Sequence, residues 1–66
     1  MFNTALYEVE NAHCVQEKRG AILVDVDGEH LWFSKAEISD VSEVQHLNDR
    51  GNLVVAEAAA QAVGLL

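Results

Sequence analysis

The residues equipped for chemistry in this sequence are the carboxylates at Asp25, Asp27 and Glu29, the single cysteine Cys14, and the histidines His13, His30 and His46. Each suggests a chemistry that its spacing can test. Read as the start of a calcium loop, Asp25-Val26-Asp27-Gly28 puts His30 where the sixth loop position needs glycine. Ala36 then falls where the terminal glutamate belongs, so the pattern fails at its most restrictive positions. Zinc fares no better. His13 and Cys14 are adjacent, and on a strand adjacent side chains point to opposite faces. No other pair of ligand types has the short spacing of a structural zinc site. Cys14 as a nucleophile would need a base and an oxyanion donor beside it, and a buried apolar role suits a lone thiol better.

The elements that would position these groups follow from pattern. Ala21–Val26 is the clearest strand, and Asp27-Gly28 directly after it is a strong two-residue hairpin signal, because glycine tolerates positive φ. The return strand is expected over Glu29–Phe33, pairing Val26 with Glu29, Asp25 with His30, Val24 with Leu31 and Leu23 with Trp32. One face then carries Ile22, Val24, Val26, Leu31 and Phe33 as a core surface. The other carries Leu23, Asp25, His30 and Trp32, half solvated or covered by another element. On that face Asp25 should favour a charged His30. Trp32 is either a packing residue under the helix or the N-terminal strand, or an exposed anchor for a partner.

Upstream, Thr4–Val9 reads as a strand ended by Asn11, and His13–Glu17 as a second extended piece before a turn at Lys18-Arg19-Gly20. Downstream, Ser34 and Glu37 resemble a capping box. Ile38, Val41, Val44 and Leu47 share a spacing of three that fits a helix face. Ser39, Asp40, Val41, Ser42 and Val44 are poor helix formers, which favours one turn at Lys35–Ile38 and a short strand near Asp40–Val44. Residues 48–52 form a turn by composition, and Leu53-Val54-Val55 a strand. Ala56–Val63 reads as a helix with Gly64 as its stop. The expected architecture is a single α+β domain: a small, strongly bent antiparallel sheet or partly open barrel of about five short strands, closed by one C-terminal helix.

Charge narrows the partners. Eleven acidic and four basic residues give a formal charge of −7. Phosphate binding draws most of its affinity from Lys and Arg, so direct nucleic-acid binding is disfavoured. An acidic surface suits a basic groove on another protein, or serves solubility alone. A chain of 66 residues has a small core, which burial in an oligomer or against a partner would help, though the sequence does not require it. A lone cysteine, the absence of a basic-then-apolar leader at Met1–Thr4, and no apolar run near the roughly 18 residues of a membrane span lead to the expectation of a cytoplasmic protein without membrane contact.

Two resemblances bear on function. Ile22–Gly28 resembles the nucleophile motif of haloacid-dehalogenase-type phosphatases, in which an apolar strand ends in Asp-x-Asp-Gly. That resemblance implies one carboxylate attacking phosphorus and a second doing acid–base work. It also requires magnesium and a basic residue from later strands of a much larger Rossmann-like domain, which the residues after Gly28 are too few to build. The hairpin reading is preferred, and the chain is expected to be non-enzymatic and without cofactor. From Ala21 onward the order of features resembles a group of small phage and prophage proteins of uncharacterised function. Asp27-Gly28, Trp32-Phe33, Lys35, Ile38, Ser42-Glu43-Val44, Gly51, Leu53-Val54-Val55, Glu57 and Gly64-Leu65 carry it. Ser34 replaces the usual proline, Ala58 stands where an aromatic is usual, and the first 20 residues match nothing in it.

This second resemblance implies a mobile-element origin and a compact barrel-like fold, with no activity attached. Acidic phage proteins that resemble duplex DNA in charge are a recurrent inhibitor type, anti-CRISPR proteins among them. Glu8, Glu10, Glu17, Asp25, Asp27, Glu29, Asp40 and Glu43 could supply such a surface. The leading expectation is therefore an inhibitor that docks Asp25, Asp27, Glu29, Trp32, Asp40 and Glu43 into a basic groove of a host protein or nucleoprotein complex in the cytoplasm. The alternatives are a phage accessory domain that binds nucleic acid weakly through the barrel face despite its charge, and a structural or assembly subunit that forms a homo-oligomer.

Overall fold

A computed structural model describes residues 5–66. Thr4, placed in the first expected strand, lies outside the described residues. The chain forms β1 (Leu6–Lys18), β2 (Ala21–Val26), β3 (Glu29–Ser34), a single 3-10 turn (Lys35–Glu37), β4 (Arg50–Ala56) and α1 (Glu57–Ala62). The four strands make one open antiparallel sheet in the order β3-β2-β1-β4.

The β2–β3 hairpin has the expected register, from Val26 opposite Glu29 to Ala21 opposite Ser34. Asp27 (φ 52) and Gly28 (φ 87) both take the left-handed conformation that a tight hairpin turn with the twist of its strands requires. Asp25 accepts a hydrogen bond from the Gly28 N–H at 2.9 Å, which locks the turn from the side.

Among the described residues the strand count is four rather than five, for two reasons. The expected breaks in the N-terminal third are bulges within one 13-residue strand. Asn11 does not end β1; it turns left-handed (φ 59) inside it, absorbing an extra residue between Val9 and Ala12 so that both stay on the core side. Second, residues 38–49 form no strand at Asp40–Val44 and no helix. Only Ile38 makes a bridge, to Val55. Beyond it, side chains replace a ladder: the Ser42 hydroxyl accepts from the Val54 N–H (3.1 Å) and the Val44 N–H (3.2 Å), and donates to the Val44 carbonyl (3.0 Å). Glu43 donates its N–H to the Asn52 carbonyl and accepts the Asn52 N–H on its carboxylate. The outer edge of β4 is satisfied without a fifth strand. β4 itself starts at Arg50, inside the expected turn, with the chain reversal displaced to Asn48 (φ 73).

One face of the sheet is the core. Val9, Ala12 and Cys14 of β1, Ile22, Val24 and Val26 of β2, Phe33 of β3, and Leu53 and Val55 of β4 are buried there. Val44 from the irregular segment and Ala59 and Ala60 from α1 close it. The short alanine side chains let α1 approach the sheet closely, and α1 ends at Gly64 (φ 87) with the Leu65 N–H bonded to the Ala60 carbonyl. No helix among the described residues is long and apolar enough to cross a membrane.

Candidate functional site

With the core elements gathered on one side, no described element covers the opposite face of the sheet, and its rows can be read from the register. One row joins Trp32 (β3), Leu23 (β2) and Gln16 (β1). The next joins His30, Asp25, His13 and Arg50 across all four strands. Trp32 is 41% exposed, and α1 packs against the other face, so neither the helix nor the N-terminal half of β1 covers it. Its ring instead holds the Lys18 ammonium 4.9 Å from the centroid, a cation–π contact worth about 0.5–1 kcal/mol at an exposed site.

Asp25 lies between His13 and His30 in register, but no ion pair forms with either imidazole. The expected Asp25–His30 pair is therefore one of position only, and the carboxylate serves the turn through Gly28. No group of three or more potential ligands close enough to share a metal ion occurs among the described residues. His46 sits far along the chain, at the rim beside Glu17.

The six residues expected to bind are not brought into one constellation. Asp25, Asp27, Glu29 and Trp32 share the hairpin. Asp27 lines a concavity of about 470 Å³ with Glu8, Glu10, Asn11 and Leu65. Asp40 and Glu43 belong to the segment along the outer edge of β4, at the other end of the strand order. Asp40 lines a separate concavity of about 380 Å³ with Leu6, Glu37 and Ile38. Asp27, Glu29 and Asp40 are exposed and accept no hydrogen bond from described groups, whereas one Glu43 oxygen is engaged by the Asn52 N–H at 2.8 Å.

Sequence reasoning placed Glu17 on the acidic surface, and the structure assigns it a fastening role. Its carboxylate accepts from the Lys35 ammonium at 2.6 Å, the Leu47 N–H at 3.1 Å and the His46 ring at 3.2 Å. The Lys35 hydrogen bond, then the Leu47 N–H, then His46 hold its pKa down to about 2. Asp49 is lowered too, chiefly by the Gln45 and His46 N–H groups that it caps. Nothing local in the sequence signals Glu17, since its partners lie 18 to 30 residues away. Cys14 is buried, with its thiol 3.3 Å from the Gln16 carbonyl; burial pushes its pKa up, with the Glu17 and Asp49 charges adding to the rise.

No protein-family model matches the chain, and neither a curated protein nor a solved structure matches it.

Proposed function

We propose that this protein is a non-enzymatic binding module that inhibits a host nucleic-acid-handling complex by docking its acidic hairpin tip into a basic groove. One observation carries the reading: the exposed sheet face presents Trp32 three residues beyond Glu29, on a hairpin whose Asp27 and Glu29 carboxylates have no partner among the described residues. A half-exposed tryptophan ringed by polar groups is the side-chain type that dominates interfaces. Free carboxylates beside it give that anchor a strong preference for basic partners and speed the encounter. The fastened carboxylates, Glu17 and Asp49, contribute field but not contacts. The resemblance to small phage proteins is in keeping with such a role.

The test is displacement of labelled duplex DNA from a panel of host nucleases and RNA-guided effector complexes. The expected result is displacement by at least one member, weakening as salt rises and abolished by Asp27→Lys with Glu29→Lys. Displacement that survives this double reversal in a folded variant overturns the proposal.

A second reading has its own observation. Lys18 stacked on Trp32, with His30, His13 and Arg50 flanking Asp25 along the next row, places an aromatic surface beside basic side chains on one sheet face. That combination suits stacking of unpaired nucleobases, against the overall charge of −7. A mobility shift of a labelled single strand by the protein alone at low salt favours it over the first reading.

A further inference from the structure

We propose that β3 is a self-complementary edge, and that two copies of this chain join through it, antiparallel and centred on Trp32, into one eight-stranded sheet. In a two-residue hairpin the residues flanking the turn form a hydrogen-bonded pair, and bonded and non-bonded pairs then alternate. Val26–Glu29, Val24–Leu31 and Ile22–Phe33 are therefore the bonded pairs of β2 and β3. The backbone N–H and C=O groups of His30, Trp32 and Ser34 point the other way, out from the edge of the sheet. None of them finds a backbone partner among the described residues.

Exposed edges are ordinarily blunted by proline, lysine, a bulge or an inward-pointing charge. The other edge of this sheet is covered in its own way, by Ser42 and Glu43 on β4. Nothing comparable guards β3: it contains no proline, no lysine and no bulge, and its one charge is Glu29 at its first position.

The side chains then choose a second copy as the occupant. With the two-fold axis at Trp32, His30 lies opposite Ser34 of the second copy and Leu31 opposite its Phe33, while Glu29 falls just past the end of the partner strand. Apolar meets apolar on the core side, and tryptophan meets tryptophan on the open face. Residues opposite each other in an antiparallel pair share a face, so the axis can move only to Leu31 or Phe33. The first sets Glu29 against Phe33, the second sets Lys35 against Leu31, and both shorten the overlap. The centred register supplies roughly six backbone hydrogen bonds and covers the half-exposed Leu31, while the two Trp32 side chains stand side by side and still face outward from the open side of the sheet. It leaves Asp27 and Asp40 at the periphery.

Sedimentation equilibrium of the full chain tests this. The expected species at sub-millimolar concentration is a dimer of the 7.2 kDa chain. It tightens with added salt, because each copy carries −7 and screening removes their repulsion. Trp32→Lys sets two ammonium groups side by side across the axis and weakens dimerisation at least about tenfold, with circular dichroism unchanged. A monomer throughout, or a dimer that Trp32→Lys leaves as tight, overturns the proposal. Should that variant unfold, a mixture of His30→Cys and Ser34→Cys chains decides, since an opposed pair has the Cα separation a disulfide needs. Cross-linking of the mixture under mild oxidation is expected. Its absence, or equal cross-linking by Asn52→Cys on β4, refutes the edge pairing.

Discussion

Removal of the Ser42 hydroxyl probes how the fold presents its second group of carboxylates. The side chain is buried at 7% exposure and is the acceptor for two backbone N–H groups, those of Val44 and Val54. Ser42→Ala deletes both of these bonds, and the one the hydroxyl donates to the Val44 carbonyl, while creating almost no cavity. An unsatisfied buried donor costs about 1–3 kcal/mol. The Val54 site is only partly buried, so water recovers some of the loss, and about 2 kcal/mol is expected for the pair. A chain this size has a total stability of about 3–10 kcal/mol, which makes the change a large fraction. The melting temperature should fall by roughly 10 °C. Amide exchange at Val44 and Val54 should accelerate roughly thirtyfold if opening is local, at 1.4 kcal/mol per factor of ten. Ser39→Ala is the control, because the Ser39 hydroxyl accepts only from the exposed Val41 N–H and its loss should shift stability by less than about 0.5 kcal/mol. A melting temperature within about 2 °C of the parent, with unchanged exchange at both amides, would refute the view that Ser42 replaces a fifth strand.

Two further outcomes follow from the fastened groups. Because the Glu17 pKa is depressed in the folded state, its contribution is complete above the unfolded value of about 4.3 and is lost as pH falls towards about 2. Acid denaturation followed by circular dichroism should therefore steepen between those limits, and Glu17→Gln should flatten that slope while lowering neutral stability; an unchanged acid profile contradicts the assignment. Cys14, buried with a raised pKa, should react with an aromatic disulfide reagent only as fast as the chain unfolds, and immediate labelling of the native protein would show the thiol to be open.

The turn and register of the β2–β3 hairpin were legible in the sequence, because Asp27-Gly28 and an apolar run on either side of it are local signals. The C-terminal helix and its glycine stop were legible for the same reason. The N-terminal strand was not: Asn11 carries a turn propensity that here makes a bulge, and only pairing with β4 distinguishes the two outcomes. Residues 38–49 were misread because Ser42 and Glu43 bond β4 with side chains, which no periodicity reports. Of the candidate site, the hairpin residues were placed correctly relative to one another. Asp40 and Glu43 were grouped with them by charge alone, and topology separates them.

His13 is the one position of β1 that appears in both registers, opposite Arg50 on one side and Asp25 on the other. The first half of β1 belongs to β4 and the second half to β2. The latter half, with β2 and β3, is a meander joined by two tight turns, and its contacts are close in sequence. The former half has to wait for β4, which arrives only after the whole meander and the irregular segment have been laid down. Loop closure is the slow and costly part of assembly, so the chain should build from the meander outward, seating β4 and the helix last. The same order in reverse makes the C-terminal third the first part to open. The half that carries Trp32 and the acidic tip can thus keep its shape while the rest of the molecule breathes.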